Sequence, residues 1–253
     1  MVYRGKRISI IIPVYNEEKL IIPTLMGIPN YVDKIIVIDD GSTDSTRNLV
    51  LSYDDERIEL IALNENKGVG NAVKVGYIGS LQYNIDIVGT IGGDHQFDLE
   101  DLPSLLDPIV DDEADYVKGN RFLVDAKEVM PNKRYFGNIF LSMLTRMASG
   151  VRTIFDTQAG FITISRKVIE TIDWDIFWNG YGFVSDFIIK INAYGFRIKD
   201  VPNRSIYLEG EKQTQIVISK YIMQSLPMIL KGWLWRILHQ RKIRKKLKKN
   251  ELK

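Results

Sequence analysis

Ile91-Gly92-Gly93-Asp94-His95-Gln96-Phe97-Asp98 closes a largely apolar run that begins at Ile85, and it does so with two glycines, a carboxylate and an amide. A short apolar run bounded by turn residues suits a strand buried on both faces, as in a parallel sheet. Open α/β sheets gather their ligands at the carboxyl ends of such strands, so Asp94 falls where a ligand would sit. Gly92 and Gly93 let another group approach the backbone closely. Asp94 and Gln96 together offer two oxygens to a hard cation such as Mg²⁺ or Mn²⁺, which in turn grips a diphosphate. The plainer alternative is a turn that caps the next helix. Asp98, three residues before Asp101 and just ahead of Leu99 to Val110, fits that cap better than Asp94 does.

Working outward, the same strand, acidic turn and helix pattern recurs. Arg7 to Ile12 reads as a first strand that Pro13 stops, followed by Val14-Tyr15-Asn16-Glu17-Glu18 with Asn16 as the N-cap of a helix. Lys34 to Ile38 is a second strand ending in Asp39-Asp40-Gly41-Ser42-Thr43-Asp44, and two adjacent carboxylates exceed what one cap needs. Ile58 to Leu63 is a third strand. It leads through Lys67 and Gly68 into an amphipathic helix ending near Leu81, where Lys67 either touches a phosphate or is simply solvated. Ala114 to Lys118 forms a fifth strand before Gly119-Asn120-Arg121-Phe122, and Arg134 to Ser149 a helix with Lys133 and Arg134 near its start. Cations at that end oppose the helix dipole, which suggests another purpose for them. Phe161 to Ile164 and Ile198 to Val201 complete the strands, with a helix opening around Asp186 and ending at Gly195. Alternation of this kind predicts one α/β domain with a mostly parallel sheet and helices on both faces. The boundary falls near residue 210, with 1–210 as the domain and 211–253 as a loop and tail.

Composition narrows the chemistry. The 253 residues contain no cysteine and two histidines, His95 and His239, so thiolate sites, disulfides and histidine clusters are excluded. The first residues are polar and basic, and the apolar stretch behind them is short and interrupted by Pro13. This predicts neither signal peptide nor membrane span, and hence a cytoplasmic protein. Of a net charge of +2, residues 231–253 hold +9, so the preceding residues carry −7. A basic tail on an acidic body points to a charged partner for the tail alone, an anionic membrane surface rather than nucleic acid, because the body offers no extended basic face. Leu226, Ile229, Leu230, Trp233, Leu234, Ile237 and Leu238 recur at helical spacing ahead of the cations. Pro227 and the flanking charges make the stretch too broken to span a bilayer. An amphipathic basic helix lying on the membrane, or a helix packed on the domain, are the two readings.

Ile12-Pro13-Val14-Tyr15-Asn16-Glu17, the Asp39-to-Asp44 turn, Gly93-Asp94-His95-Gln96-Phe97-Asp98, Gly119-Asn120-Arg121-Phe122, Asp156-Thr157-Gln158-Ala159-Gly160-Phe161 and Gly182-Phe183-Val184-Ser185-Asp186 follow one another in an order that resembles family 2 glycosyltransferases. The likeness is nearest to polyprenyl-phosphate sugar transferases of the dolichyl-phosphate mannose or glucose synthase kind, and it extends over roughly residues 7–210. It implies a single Rossmann-like GT-A domain. It also implies that Pro13, Tyr15, Glu17, Asp39 and Asp40 hold a nucleoside, and that Gly93 lies against the donor while Asp94 and Gln96 bind metal and diphosphate. One departure stands out: the family's usual Asp-x-Asp is Gly92-Gly93-Asp94 in this chain.

The implied reaction is attack by a polyprenyl phosphate oxygen on the anomeric carbon of a nucleotide-diphospho-sugar, with inversion. An anionic nucleophile needs little from a base and much from cations that position it. Arg121 and Arg134 are the candidates. Asp186 orients or deprotonates the acceptor, or merely caps its helix, and Lys212 lies on an acceptor loop. A nucleotide-sugar-binding module without turnover is the alternative that would explain Gly92.

Overall fold

In the computed structural model, which describes residues 2–124, 126–208 and 218–251, seven strands form one sheet in the order β3-β2-β1-β4-β6-β5-β7. The strands are β1 (Ile8–Val14), β2 (Lys34–Asp39), β3 (Ile58–Ala62), β4 (Ile87–Thr90), β5 (Tyr116–Asn120), β6 (Ile162–Ser165) and β7 (Ile198–Pro202). The pairs β1/β2, β1/β4, β2/β3 and β5/β7 are parallel, and β6 alone runs against its neighbours β4 and β5. The alternation of strands and helices therefore gives the mostly parallel sheet that the sequence predicts.

Both faces of the sheet are covered. On one, Ile11, Ile36 and Ile38 pack with α3 (Val69–Ser80), α7 (Arg166–Thr171) and α8 (Phe183–Tyr194). On the other, Ile10, Ile12, Ile35 and Val37 meet α1 (Ile21–Met26), α2 (Thr46–Ser52) and α4 (Leu102–Val110). Alternate residues of one strand thus serve two cores, which is why β1 reads as a near-continuous apolar run, broken only by Ser9, rather than as an alternating pattern. A third cluster joins α6 (Asn132–Ser149) to α8 and to α9 (Ile218–Glu251) through Leu141, Ile189, Met228 and Ile229. Between β5 and α6 lies the short α5 (Ala126–Val129).

Two local expectations are corrected. Pro13 does not stop β1, which runs to Val14. Pairing with β4 ends at Ile11 with Thr90, so the N–H that Pro13 lacks faces no ladder partner on that side. Asn16 caps no helix: it takes φ +55°, its Oδ1 accepts from the Thr43 N–H at 2.8 Å, and α1 begins only at Ile21. The helix predicted for the tail is α9, 34 residues long with Pro227 inside it. Asp98 likewise caps as its spacing predicts, its side chain accepting from the Glu100 N–H ahead of the Leu99–Asp101 turn and α4.

Candidate active site

A cavity of about 390 Å³ opens at the carboxyl ends of β1, β2 and β4. Nine of the residues singled out in the sequence line it: Pro13, Tyr15, Glu17, Asp40, Gly93, Asp94, Gln96, Arg121 and Arg134. Apart from Arg134, which α6 brings in, they come together because strands running the same way end at the same level, and each strand end delivers its turn to one crevice.

The acidic end is built from the turns after β1 and β4. The Ile91 N–H bonds to Ile11 O at 3.2 Å, and Thr24 Oγ1 donates to Gly93 O at 3.2 Å, so the backbone that carries Asp94 is fixed from both sides. Any Cβ on Gly93 would stand 2.6 Å from Val14 Cγ1, which is why that position admits no side chain. Burial raises the Asp94 carboxyl to about 6, against the opposing pull of the Gln96 N–H and of Arg134. Glu17 is raised further, to about 8, first by burial and then by the charges of Asp94 and Asp44. Gln96 is 6% exposed, and its Oε1 accepts from Arg134 Nη2 at 3.3 Å. Asp94, Gln96 and Glu17 offer only oxygen ligands, a donor set that fits a hard divalent cation. Among the described residues there is no grouping of three or more His, Cys, Asp or Glu side chains of metal-site kind.

Asp40 lines the cavity with both oxygens engaged, accepting from the Lys67 N–H at 2.9 Å and the Gly68 N–H at 2.8 Å. It shapes the turn before α3 rather than presenting a free carboxylate.

The cationic end differs from expectation in one respect. Arg121 is 3% exposed and is held by Asp156, Nε to Oδ2 at 2.6 Å and Nη2 to Oδ1 at 3.0 Å, so most of its charge is answered inside the protein. The guanidinium holds the Asp156 carboxyl down, at about 2, against the burial that would raise it. Arg134 enters from the first turn of α6 and leans toward the Tyr207 ring. It is the more available of the two cations.

Three singled-out residues lie elsewhere. Asp39 is fully buried below the turn, accepting from the Ser42 N–H at 2.8 Å and from Arg47 Nε at 2.7 Å, and it does not line the cavity. Lys67 is exposed, with its Nζ 3.5 Å from Glu65. Asp186 neither faces the cavity nor caps α8: buried on that helix, it pairs with Lys190 Nζ at 2.7 Å and accepts from the Trp178 N–H at 2.8 Å. A carboxylate so engaged pins the loop before α8 and has no route to a substrate proton. Lys212 lies outside the described residues.

The cavity also has walls that sequence reasoning did not assign. Asn66 and Val69 come from the turn before α3, Gln158 from the loop before β6, Tyr181 from the loop before α8, and Tyr221 and Gln224 from α9. Tyr221 Oη donates to Gln158 Oε1, whose amide nitrogen donates to Ser185 Oγ at 3.0 Å, and Thr145 Oγ1 reaches the same hydroxyl at 3.0 Å. One hydrogen-bonded chain thus ties α6, α8 and α9 to the cavity. The first half of α9 is part of the site, and its docking face is Ser225, Met228, Ile229 and Gly232 rather than the stripe read from the sequence. Of that stripe only Ile229 is buried, while Leu226, Leu230, Trp233, Leu234, Ile237 and Leu238 remain exposed.

Such a crevice, at the carboxyl ends of parallel strands, is where open α/β sheets bind their ligands. Residues 9–173 match Glycosyl transferase family 2, and the chain belongs to that family. It is 29% identical over 246 residues to a UDP-N-acetylglucosamine–dolichyl-phosphate N-acetylglucosaminyltransferase of Methanococcus voltae, covering 90% of this chain and 97% of the relative. It is likewise 29% identical to an undecaprenyl-phosphate mannosyltransferase of Micrococcus luteus, covering 78% and 82%. Among solved structures, glucosyl-3-phosphoglycerate synthase of Mycobacterium tuberculosis, in complex with Mn²⁺, UDP and phosphoglyceric acid, superposes with a TM-score of 0.65. The identity there is 18%, covering 90% of this chain and 79% of that one, a likeness of fold.

Proposed function

We propose that the protein transfers a hexose from a UDP- or GDP-linked donor to a polyprenyl phosphate, with inversion, at the cytoplasmic face of a membrane. The observation that carries this reading is a cavity that brings the Asp94 carboxylate together with the Arg134 guanidinium, which meets Gln96 at 3.3 Å, one wall being the helix that bears an exposed apolar stripe. Relatives acting on dolichyl and undecaprenyl phosphates support the acceptor class.

Pro13, Tyr15 and the Asp40 turn receive the nucleoside. A Mg²⁺ or Mn²⁺ ion held by Asp94 and Gln96 would neutralise charge on the departing diphosphate. Arg134 draws in the acceptor phosphate by charge-assisted hydrogen bonds, and Arg121, already oriented by Asp156, adds the remaining edge of its guanidinium. A phosphate oxygen is anionic at neutral pH, so no protein base is required, consistent with the buried pairing of Asp186.

The membrane component of this reading rests on two helices. On α6, Phe136, Ile139, Phe140, Met143 and Met147 form an exposed apolar stripe opposite the buried face, and α9 alongside carries its own. Beyond that stripe Arg241, Lys242, Lys245, Lys246, Lys248 and Lys249 are exposed, whereas Arg244 turns back to the carbonyls of Asn192 and Ala193. Apolar contact plus such charge supplies two anchoring signals. No described helix is long and apolar enough to cross a membrane. Gly92 favours one second reading, a nucleotide-sugar-binding module without turnover. Incubation with UDP- and GDP-sugars and a polyprenyl phosphate, with and without EDTA, separates the two: a sugar-lipid product is expected, and bound nucleotide without product would overturn the enzyme reading.

A further inference from the structure

Position 92, where the resemblance to the family places an acid, is glycine in this chain. A Cβ built on Gly92 would lie 2.9 Å from Asp94 Oδ1, closer than van der Waals contact, so a side chain there would stand directly against the Asp94 carboxylate and shift it. Glycine supplies no carboxylate oxygen. Glu17 comes from the turn after β1 and lies along the same backbone, its Cγ 3.7 Å from a Cβ built on Gly93, the residue between Gly92 and Asp94. Its backbone is fixed: the N–H donates to Thr46 Oγ1 at 2.8 Å, and the carbonyl accepts from the Leu20 and Ile21 N–H groups at 3.0 and 2.9 Å. The side chain is otherwise. Among the described residues the Glu17 carboxylate accepts no hydrogen bond and forms no ion pair, although it is half-buried and lines the cavity beside Asp94.

The charges that Glu17 meets are anionic. Asp44 is occupied by its own turn, accepting from the Thr46 N–H at 3.0 Å and Thr46 Oγ1 at 2.6 Å, and it does not line the cavity. Asp94 does. Two carboxylates drawn partly out of water, facing one another with no donor for one of them, are costly unless a cation or a proton lies between them. Their fixed backbones hold them ready for it.

We infer that Glu17 is the second carboxylate ligand of the divalent cation in the donor pocket, supplying from the β1 turn the oxygen that Gly92 cannot supply from β4. The inference rests on reading the pocket as a nucleotide-sugar site. It reassigns Glu17 from the nucleoside to the metal. With Asp94 and Gln96 it completes three protein oxygens, leaving the other octahedral positions to diphosphate and water.

Mn²⁺ binding to the full-length protein, followed by the loss of the free-ion paramagnetic signal with and without UDP, tests this without any turnover. Disturbing outer-shell partners of a metal costs roughly 10- to 100-fold in affinity, so Glu17→Gln, which removes a direct ligand, should weaken Mn²⁺ at least tenfold with the melting temperature kept. The decisive variant is the double one, Glu17→Gln with Gly92→Asp, in which the restored acid should recover most of the lost affinity. Wild-type Mn²⁺ affinity in Glu17→Gln, failure of Gly92→Asp to rescue it, or no Mn²⁺ binding by the wild type would each overturn the inference. A protein that binds Mn²⁺ through Glu17 yet makes no sugar-lipid product would leave the inference standing and sink the functional reading instead.

Discussion

Asp94 and Arg121 show how differently two buried charges behave in one cavity. Burial opposes the Asp94 charge, so Asp94→Asn should fold with a melting temperature no lower than wild type while transfer falls about a hundredfold or more, a loss of the size expected when charge on a leaving group goes unanswered. A folded Asn variant with wild-type turnover would remove Asp94 from the mechanism. Arg121 is the reverse case, because truncation strands Asp156 without its partner. Arg121→Ala should therefore cost about 3–5 kcal/mol of stability in a urea titration, whereas Arg134→Ala should keep the wild-type midpoint and lose acceptor use more than donor binding. The pH dependence follows from the Asp156 shift. Its folded value lies near 2, below an unfolded value of about 3.9, so the pair's contribution is fully present above about pH 4 and is lost as the pH falls through 2. The stability gap between wild type and Arg121→Ala should close over that window, and a gap that stays constant from pH 5 to 2 would rule this coupling out.

At the level of elements, α8 and α9 decide what the site is. Asp186 and Lys190 stand one helical turn apart, and their pair holds the Trp178 N–H and with it the loop whose Tyr181 walls the cavity. Asp186→Asn alone should destabilise by about 3 kcal/mol or more, since it leaves a buried ammonium unpaired, while adding Lys190→Met should restore the melting temperature. If Asp186 were the base, the stable double variant would be inactive; retention of most kcat is expected. For α9, polar substitution of the exposed Leu230, Trp233, Leu234 and Ile237 should release the protein from anionic vesicles in flotation without unfolding it, because none of the four belongs to the docking face. Deletion from residue 222 is a poorer probe, since it takes Gln224 and the Met228 contact with it and opens the cavity. The sequence exposed these elements unevenly. Asp94 was legible because a strand buried on both faces leaves few readings for an acid at its end. Asn16 was not, since a residue that suits a cap also suits the left-handed turn it adopts to reach Thr43. The i,i+4 spacing of Asp186 and Lys190 was a usable signal that the resemblance to a catalytic motif outweighed. Tyr221 and Gln224 carried no local signal at all, because what puts them in the cavity is the packing of α9 on α6 and α8.

Across the whole molecule, an acidic body and a basic end must meet a surface in one orientation. Residues 231–253 carry +9 against −7 on the rest, so attachment to anionic vesicles should weaken steeply with added salt, while the apolar stripes retain a residual fraction. Vesicles without anionic lipid give the measurement its baseline, and salt-insensitive binding would assign the attachment to the apolar faces alone. The length of α9 adds a constraint that charge does not. Tyr221 sits in the cavity wall and Arg241 opens the cationic run twenty residues later, a separation of about 30 Å along one helix at 1.5 Å per residue. A protein moored at a single point is free to swivel about it. With both the apolar stripe and the cationic run held to the membrane, as proposed, α9 would act as a spar that fixes the heading, and the cavity mouth would face along the membrane in the same direction at every encounter with an acceptor.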